Sequence, residues 1–412
     1  MRTRSFFAVL FVSGLALMPA RAQDPPEWVA VYDPLQLLTL NLTIAPADWD
    51  TIRRDTTFEI EVPAQFWADG ETPILVSVRR KSSRALPSES NPVKVGLKVD
   101  INEFVSGQKW HGLAKLSLEN GVDSGVLSEG LAWNFHRLAS GPEGYGYLSG
   151  LASWVRVVVN GEPIGVLLNA EQRDKQMLKN RGVWVDKVAG ADKTWLYDQH
   201  DMSTIDLEEG APHSPTYTRL CYSPFSTLSR KNGGCTRPGD AALATELNAL
   251  VNMQGMLAEC AVDVISVNDD SLCRHGHNFQ FADWAADVGR TRMYFPWDLD
   301  QVFGKTSANV YANGGGRKPS MNAYQDVILR HPVFRAQYNG ILTALLEGPL
   351  SEGSVHAFLD ALEPVLAAAL DADPYPTVFG AAAKFDQLRG WVSERFPVIR
   401  AQVAANNNPP PR

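Results

Sequence analysis

Residues 35–50 read LQLLTLNLTIAPADWD, with Leu38, Leu40, Leu42 and Ile44 alternating with Thr39, Asn41 and Thr43. A period of two buries one face and wets the other, so this run predicts a strand, and Pro46-Ala47-Asp48-Trp49 starts a helix. Strands follow at 75–79 and 93–99, with the polar loop Arg80-Lys81-Ser82-Ser83-Arg84 between them. Val126, Leu127, Leu131, Phe135 and Leu138 then recur at helical spacing. Residues 155–159 and 165–169 flank Asn160-Gly161, a hairpin turn, and a helix is expected over 170–179. Residues 201–240 are rich in Ser, Pro and Gly and read as an insertion loop, and 241–260 as one helix. Phe279 and Phe281, then Met293, Phe295 and Trp297, alternate on either side of Asp287-Val288-Gly289, which predicts a second hairpin. Residues 320–346, 354–370 and 377–405 read as helices. Strands dominate early and helices late, the pattern of an α+β protein.

The N-terminus changes the picture. Arg2 and Arg4, an apolar run from Phe6 to Met18, and Ala20-Arg21-Ala22 have the form of a secretory signal with Gln23 as the mature start. An uncleaved anchor is the alternative. No later segment carries ~18 uninterrupted apolar residues, so no transmembrane segment is expected after signal removal. At 45% hydrophobic and 20% charged, the composition is that of a globular protein. Losing Arg2, Arg4 and Arg21 lowers Lys+Arg from 38 to 35 against 46 Asp+Glu, moving the formal charge from -8 to -11. That balance argues against a nucleic-acid partner, which needs a basic face. In an oxidising compartment Cys221, Cys235, Cys260 and Cys273 are expected to pair, and Cys221–Cys235 with Cys260–Cys273 is the sequence-local choice. A zinc site is disfavoured because no C-x-x-C occurs.

The candidate chemistry lies in 262–304. Asp270 precedes the first strand of the second hairpin, Asn278 opens it, and Asp298 and Asp300 end the second strand, both pointing to one side. Oxygen ligands on adjacent segments suit a hard cation such as Mg²⁺. Phosphoryl transfer needs such a cation and an Asp to take a hydroxyl proton. Asp and Asn are equally common as turn and cap residues, the reading without chemistry.

Asn268-Asp269-Asp270, His277-Asn278-Phe279 and Pro296-Trp297-Asp298-Leu299-Asp300-Gln301-Val302-Phe303-Gly304 resemble, in order and spacing, the signature of the spore-coat protein H (CotH) kinase family. The resemblance extends from about Leu38 to about Leu346. It implies an atypical protein-kinase-like two-lobed fold, which after the signal peptide 1–22 divides into an N-terminal β-rich lobe 23–190 and a C-terminal largely helical lobe 191–403; the end, NNNPPPR, reads as a disordered tail 404–412. It implies Asp270 as the catalytic Asp and Asn278 with Asp298, and Asp300 beside them, as ligands of Mg²⁺ or Mn²⁺. Ser82, Ser83, Lys94 and Lys98 match the family's phosphate-covering loop and Lys-rich strand, although Arg80 or Lys81 stands where the family has glycine. Asn160-Gly161 through Glu171 matches a further motif, with Leu167 at its tyrosine place, and implies Glu171 behind Lys94 or Lys98. Residues 182–187 resemble a strand ending in Lys187, with one residue inserted, and make Lys187 a nucleotide contact.

The implied activity is an exported kinase (periplasmic, cell-surface or secreted) transferring the γ-phosphate of ATP to a protein Ser/Thr or another hydroxyl. Its partners are then a nucleotide and a hydroxyl-bearing acceptor, a surface protein among the candidates. The alternative is a non-catalytic or weakly catalytic cell-surface binding protein on the same fold.

Overall fold

The computed structural model describes residues 26–81, 94–121, 125–140, 145–201, 204–222, 225, 238–311, 329–375 and 380–406. The expected signal segment, Ser82, Ser83, Cys235 and residues 407–412 lie outside them.

Seven strands close into a barrel in the order β1-β2-β3-β4-β5-β7-β6: β1 (Leu38–Ile44), β2 (Glu61–Ala68), β3 (Ile74–Arg80), β4 (Leu97–Asp100), β5 (Lys115–Glu119), β6 (Ala152–Val159) and β7 (Glu162–Ala170). All neighbours are antiparallel except β1 and β6, whose parallel pairing closes the ring. The alternation read from the sequence has its cause here. Leu40, Leu42, Val76, Val78, Leu97, Val99, Leu116, Leu118, Val155 and Val157 fill the barrel. The intervening Ser77, Arg79, Lys98, Asp100, Lys115 and Glu119 therefore stand on its outer face. Short α1 (Glu27–Ala30) and α2 (Pro46–Arg54) lie at the start of the chain.

α3 (Val126–Ser140) is buried on nearly every side over its first three turns. It packs against the outer faces of β6 and β7, where Trp154 Nε1 donates to the Val126 carbonyl. Its residues belong to one apolar cluster with Trp154, Val166 and Leu168 of the barrel and with the helices that follow. α4 (Lys175–Asn180) instead places Met177 and Leu178 in a smaller cluster with Val183, Leu196, Trp284 and Phe295; the helices of the large cluster are α5 (Pro215–Arg219), α6 (Asp240–Leu250), α7 (Met253–Ser266), α8 (Pro332–Glu347), α9 (Glu352–Asp371) and α10 (Ala381–Asn406). A second sheet runs β11-β10-β8-β9, with β8 (Thr194–Asp201), β9 (Thr204–Glu209), β10 (His277–Trp284) and β11 (Met293–Pro296).

The expected hairpin is β10–β11, joined through a 3-10 turn at Ala286–Val288 with Gly289 at positive φ. Four expectations are corrected. Residues 201–240 are not all loop: β9 pairs with β8, and α5 follows, capped by Ser214. The helix expected over 241–260 breaks at Val251-Asn252, because Val251 bridges to Arg292 and the Asn252 side chain caps a new helix at Gly255 N. The helix expected from residue 170 begins only at Lys175, behind an Asp174 cap, since 162–170 continues as β7. Residues 182–187 form no strand; the Thr194 hydroxyl bonds both the N–H and the carbonyl of Val185 and does locally what a ladder would. Among the described residues only α9 is long and apolar enough to cross a membrane. It carries buried Val355, Leu359, Leu362, Leu366 and Ala369 at helical spacing, the stripe of a helix packed on one side.

Candidate active site

The segment after α7 is held from several sides. The helix ends on Val267 at φ 55, and buried Arg395 of α10 donates to the Val264 carbonyl in its last turn. A cation placed on the last carbonyls satisfies acceptors that have no partner within the helix. The Cys260–Cys273 disulfide, one of the expected pairs, ties α7 to the turn beyond. Phe303 N–H donates to the Ser266 carbonyl, so the strand of chain after β11 returns alongside. Among the described residues eight non-glycines have positive φ, and four of them (Val267, Asn278, Asp298 and Phe303) fall in this one stretch. Asn and Asp tolerate the left-handed region, whereas Val and Phe enter it only at a cost that surrounding packing must offset.

Within that frame Asp270 is buried and accepts from both directions. Gln301 Nε2 donates to Oδ2 at 2.8 Å, and His275 Nδ1 lies 3.1 Å from Oδ1. The carboxylate is thus fixed in rotation. Asn278 and Asp298 meet across the two strands, with Asn278 Nδ2 3.4 Å from Asp298 Oδ2. The Asp-x-Asp pair does not follow strand alternation, because β11 stops at Pro296 and Asp298 turns the backbone through φ 54. Asp300 nevertheless remains near enough to act on Glu129 electrostatically, as Asp298 does.

Glu129 enters from α3. It is fully enclosed, and burial first, then the charges of Glu119 and Asp298, push its carboxyl well above the usual range. On the barrel side Lys81 pairs with Glu119 and lies 5.0 Å above the Trp297 ring. Arg173, from the link between β7 and α4, stacks at 3.2 Å over the same ring, and Trp133 of α3 meets it edge-on at 6.1 Å. Trp297 immediately precedes Asp298, so α3, the barrel and the linker all bear on that residue's position. A cavity of about 190 Å³ opens on the barrel's outer face beside this group, lined by Ser77, Arg79, Lys98, Asp100, Lys115 and Asp174 among others. Burial, reinforced by Arg79 and Lys81, lowers the Lys98 ammonium to about 8, so it keeps its charge at neutral pH.

The expected residues therefore separate. Asp270, Asn278, Asp298 and Asp300 share one region, and Lys98 faces the neighbouring cavity. Lys94 does not join them: its ammonium bonds Asp373 Oδ2 and the Val166 carbonyl. Glu171 stands behind neither lysine, because both its oxygens accept from Arg181 and one also from Leu151 N–H. Lys187 is largely exposed and pairs with Asp192. Sequence reasoning passed over Lys81, taken as a loop residue, and Glu119, Glu129 and Arg173. For Glu129 the available signal was its place as the one acid of α3, among the apolar residues that open the helix.

A buried polar web joins α3 to the Asp270 turn. His136 lies between Tyr147 Oη at 3.0 Å and Asp263 Oδ1 at 3.3 Å, and Asn268 Nδ2 donates to the same Asp263 oxygen at 3.0 Å. The donor set offered by Asn278 and Asp298 is all oxygen when the amide presents its carbonyl. Two such ligands fit Mg²⁺, which keeps waters and phosphate oxygens in its remaining positions. No group of three His, Cys, Asp or Glu suited to a metal occurs among the described residues.

Residues 76–398 match the family model described as CotH kinase protein. None of the curated proteins compared with the chain matches it. The match covers well over half of the sequence, and the chain belongs to the CotH kinase family, a kinase-like protein.

Proposed function

We propose that this CotH-family chain is an exported kinase that transfers the γ-phosphate of ATP to a hydroxyl group, on a protein Ser/Thr or another acceptor, in the presence of Mg²⁺ or Mn²⁺. The observation that carries the reading is the meeting of Asn278 with Asp298, and of Asp270 with Gln301 three residues after Asp298, beside a barrel face bearing Lys98, with Lys81 just past β3 and Arg173 on the β7–α4 linker. In this reading the barrel belongs to an N-terminal β-rich lobe over 23–190 and the catalytic segment 262–304 to a C-terminal lobe over 191–403. The nucleotide sits between them, against the outer face of β3–β5.

Asn278 and Asp298 would hold the divalent cation, with Asp300 behind them. Bound there, it supplies positive charge to the phosphate oxygens. The chain's own groups do the rest. Lys81 and Lys98 attract and fix the phosphates, each as a point charge. Asp270 lies where its immobilised carboxylate can take the acceptor's proton as that oxygen bonds to phosphorus and the bond to the departing diphosphate breaks. Holding the base in one rotamer lowers the entropy cost of reaching the reactive geometry. The signal-like residues 1–22 and the Cys260–Cys273 crosslink support export.

Calorimetric titration of Mg²⁺-ATP, run beside labelled-ATP autophosphorylation, tests the reading. Wild-type protein should bind and label itself. Asp298→Ala should lose Mg²⁺-dependent binding, and Asp270→Ala should keep binding and lose transfer. No binding by the folded wild type refutes the proposal.

A further inference from the structure

The Arg173 side chain is more than nine-tenths buried. Its Nε and Nη1 are enclosed without a hydrogen-bond partner. Nη1 forms an ion pair with Asp198 Oδ1 at 3.5 Å, without a hydrogen bond. The guanidinium lies flat at 3.2 Å on Trp297, the residue before Asp298, and feels the charges of Asp198, Asp298 and Glu119. Burial lowers it to about 9, so it remains charged at neutral pH. Leaving buried donors unpaired costs free energy that a fold retains only when something offsets it. The partner that suits a flat, stacked, forked donor is a planar or tetrahedral oxyanion, phosphate above all. A lysine in this place would lack both the stacking plane and the fork.

On the reading that this region holds a nucleotide, we propose that Arg173 binds the terminal phosphoryl group, presented to it by the Trp297 ring next to Asp298. Arg173 comes from the β7–α4 linker, not from β4, which carries Lys98, or the end of β3, which Lys81 follows. Its neighbourhood to Asp298 puts it at the phosphate end of the nucleotide. The lysines of the barrel face serve the inner phosphates, and Arg173 distinguishes a triphosphate from a diphosphate.

The test is calorimetric titration of Mg²⁺-ATP and Mg²⁺-ADP into full-length wild type, Arg173→Ala and Arg173→Lys. Wild type should bind ATP more tightly than ADP. Arg173→Ala should lose at least tenfold in ATP affinity and stay within about twofold for ADP, which erases the preference. Arg173→Lys, which keeps the charge and the volume, should lose most of the same preference. It also carries the test if the alanine variant fails to fold. A preserved ATP:ADP ratio in a folded variant overturns the assignment, and so does an equal loss for both nucleotides. Wild type that binds neither nucleotide overturns the nucleotide reading itself, an outcome distinct from both.

Discussion

Replacing both Cys260 and Cys273 with alanine should loosen Asp270 more than it loosens the fold. The crosslink spans 13 positions, and the loop it closes contains the end of α7, Val267 and Asp270. Closing a loop of roughly 14 residues removes about 3 kcal/mol of chain entropy from the unfolded state. At ~2.1 cal/mol/K of unfolding entropy per residue over ~390 residues, that is ~0.8 kcal/mol/K, and 3 kcal/mol becomes ~4 °C in Tm. Alanine is chosen because both sulfurs are buried in the main apolar cluster, where a serine hydroxyl would add a desolvation cost of its own. In the folded variant Asp270 keeps its contacts to Gln301 and His275, but the turn that carries it is then held only non-covalently, by the Asn268 side chain, the Arg274–Asp269 ion pair and backbone bonds to Asp263 and Gln301 among others. Misplacing a catalytic group by about 1 Å can cost ~10²-fold in rate. Asn278 and Asp298 lie outside the closed loop. The expected signature is therefore a kcat at least tenfold lower, an unchanged KM for Mg²⁺-ATP, and a Tm ~4 °C lower by differential scanning calorimetry. A variant with unchanged kcat would refute the claim that the crosslink positions Asp270. An unchanged Tm would refute the entropy argument.

Gly130→Ala should destabilise the protein by ~1–3 kcal/mol despite alanine's better helix propensity, because the added Cβ would meet Trp154 Cζ2 at 2.3 Å and Leu168 Cδ1 at 2.8 Å; urea unfolding measures it, and a stabilised variant would contradict the packing. Glu259 is fully buried with neither oxygen hydrogen-bonded, and burial, then Asp263, holds its carboxyl well above the usual range. The folded state therefore retains a proton that the unfolded state releases near pH 4–5, so this group's contribution to stability falls as pH rises from there toward the folded value. Glu259→Gln should flatten that decline and raise Tm at pH 8, whereas an identical pH profile would show the group titrating normally. Lys94→Met should lower Tm by breaking the contacts to Asp373 and Val166 while leaving Mg²⁺-ATP affinity within about twofold; Lys98→Met should lower affinity at least tenfold. Reversal of that contrast in calorimetry would return Lys94 to the nucleotide.

The sequence by itself determined several of the strands and singled out the candidate site residues. β1 is readable at Leu38–Ile44, and the β10–β11 hairpin at its alternating aromatics, because in each case one strand face is buried and the other meets polar surroundings. Asp270, Asn278 and Asp298 were legible because they lie close together in the chain and sit in a distinctive motif. Only the tertiary structure decided which charges meet. Lys94 and Lys98 are four residues apart and look equivalent, but one reaches Asp373, 279 residues later in the chain, and the other faces the barrel cavity. Glu171 looked like a lysine's partner until Arg181 took both its oxygens. Glu129 and Arg173 reach this region only because α3 and the β7–α4 linker close on it, with Trp133 and Arg173 against Trp297. Periodicity reports the face a residue occupies. The charge that waits opposite is set by chain closure over a hundred residues or more, and no local pattern encodes it.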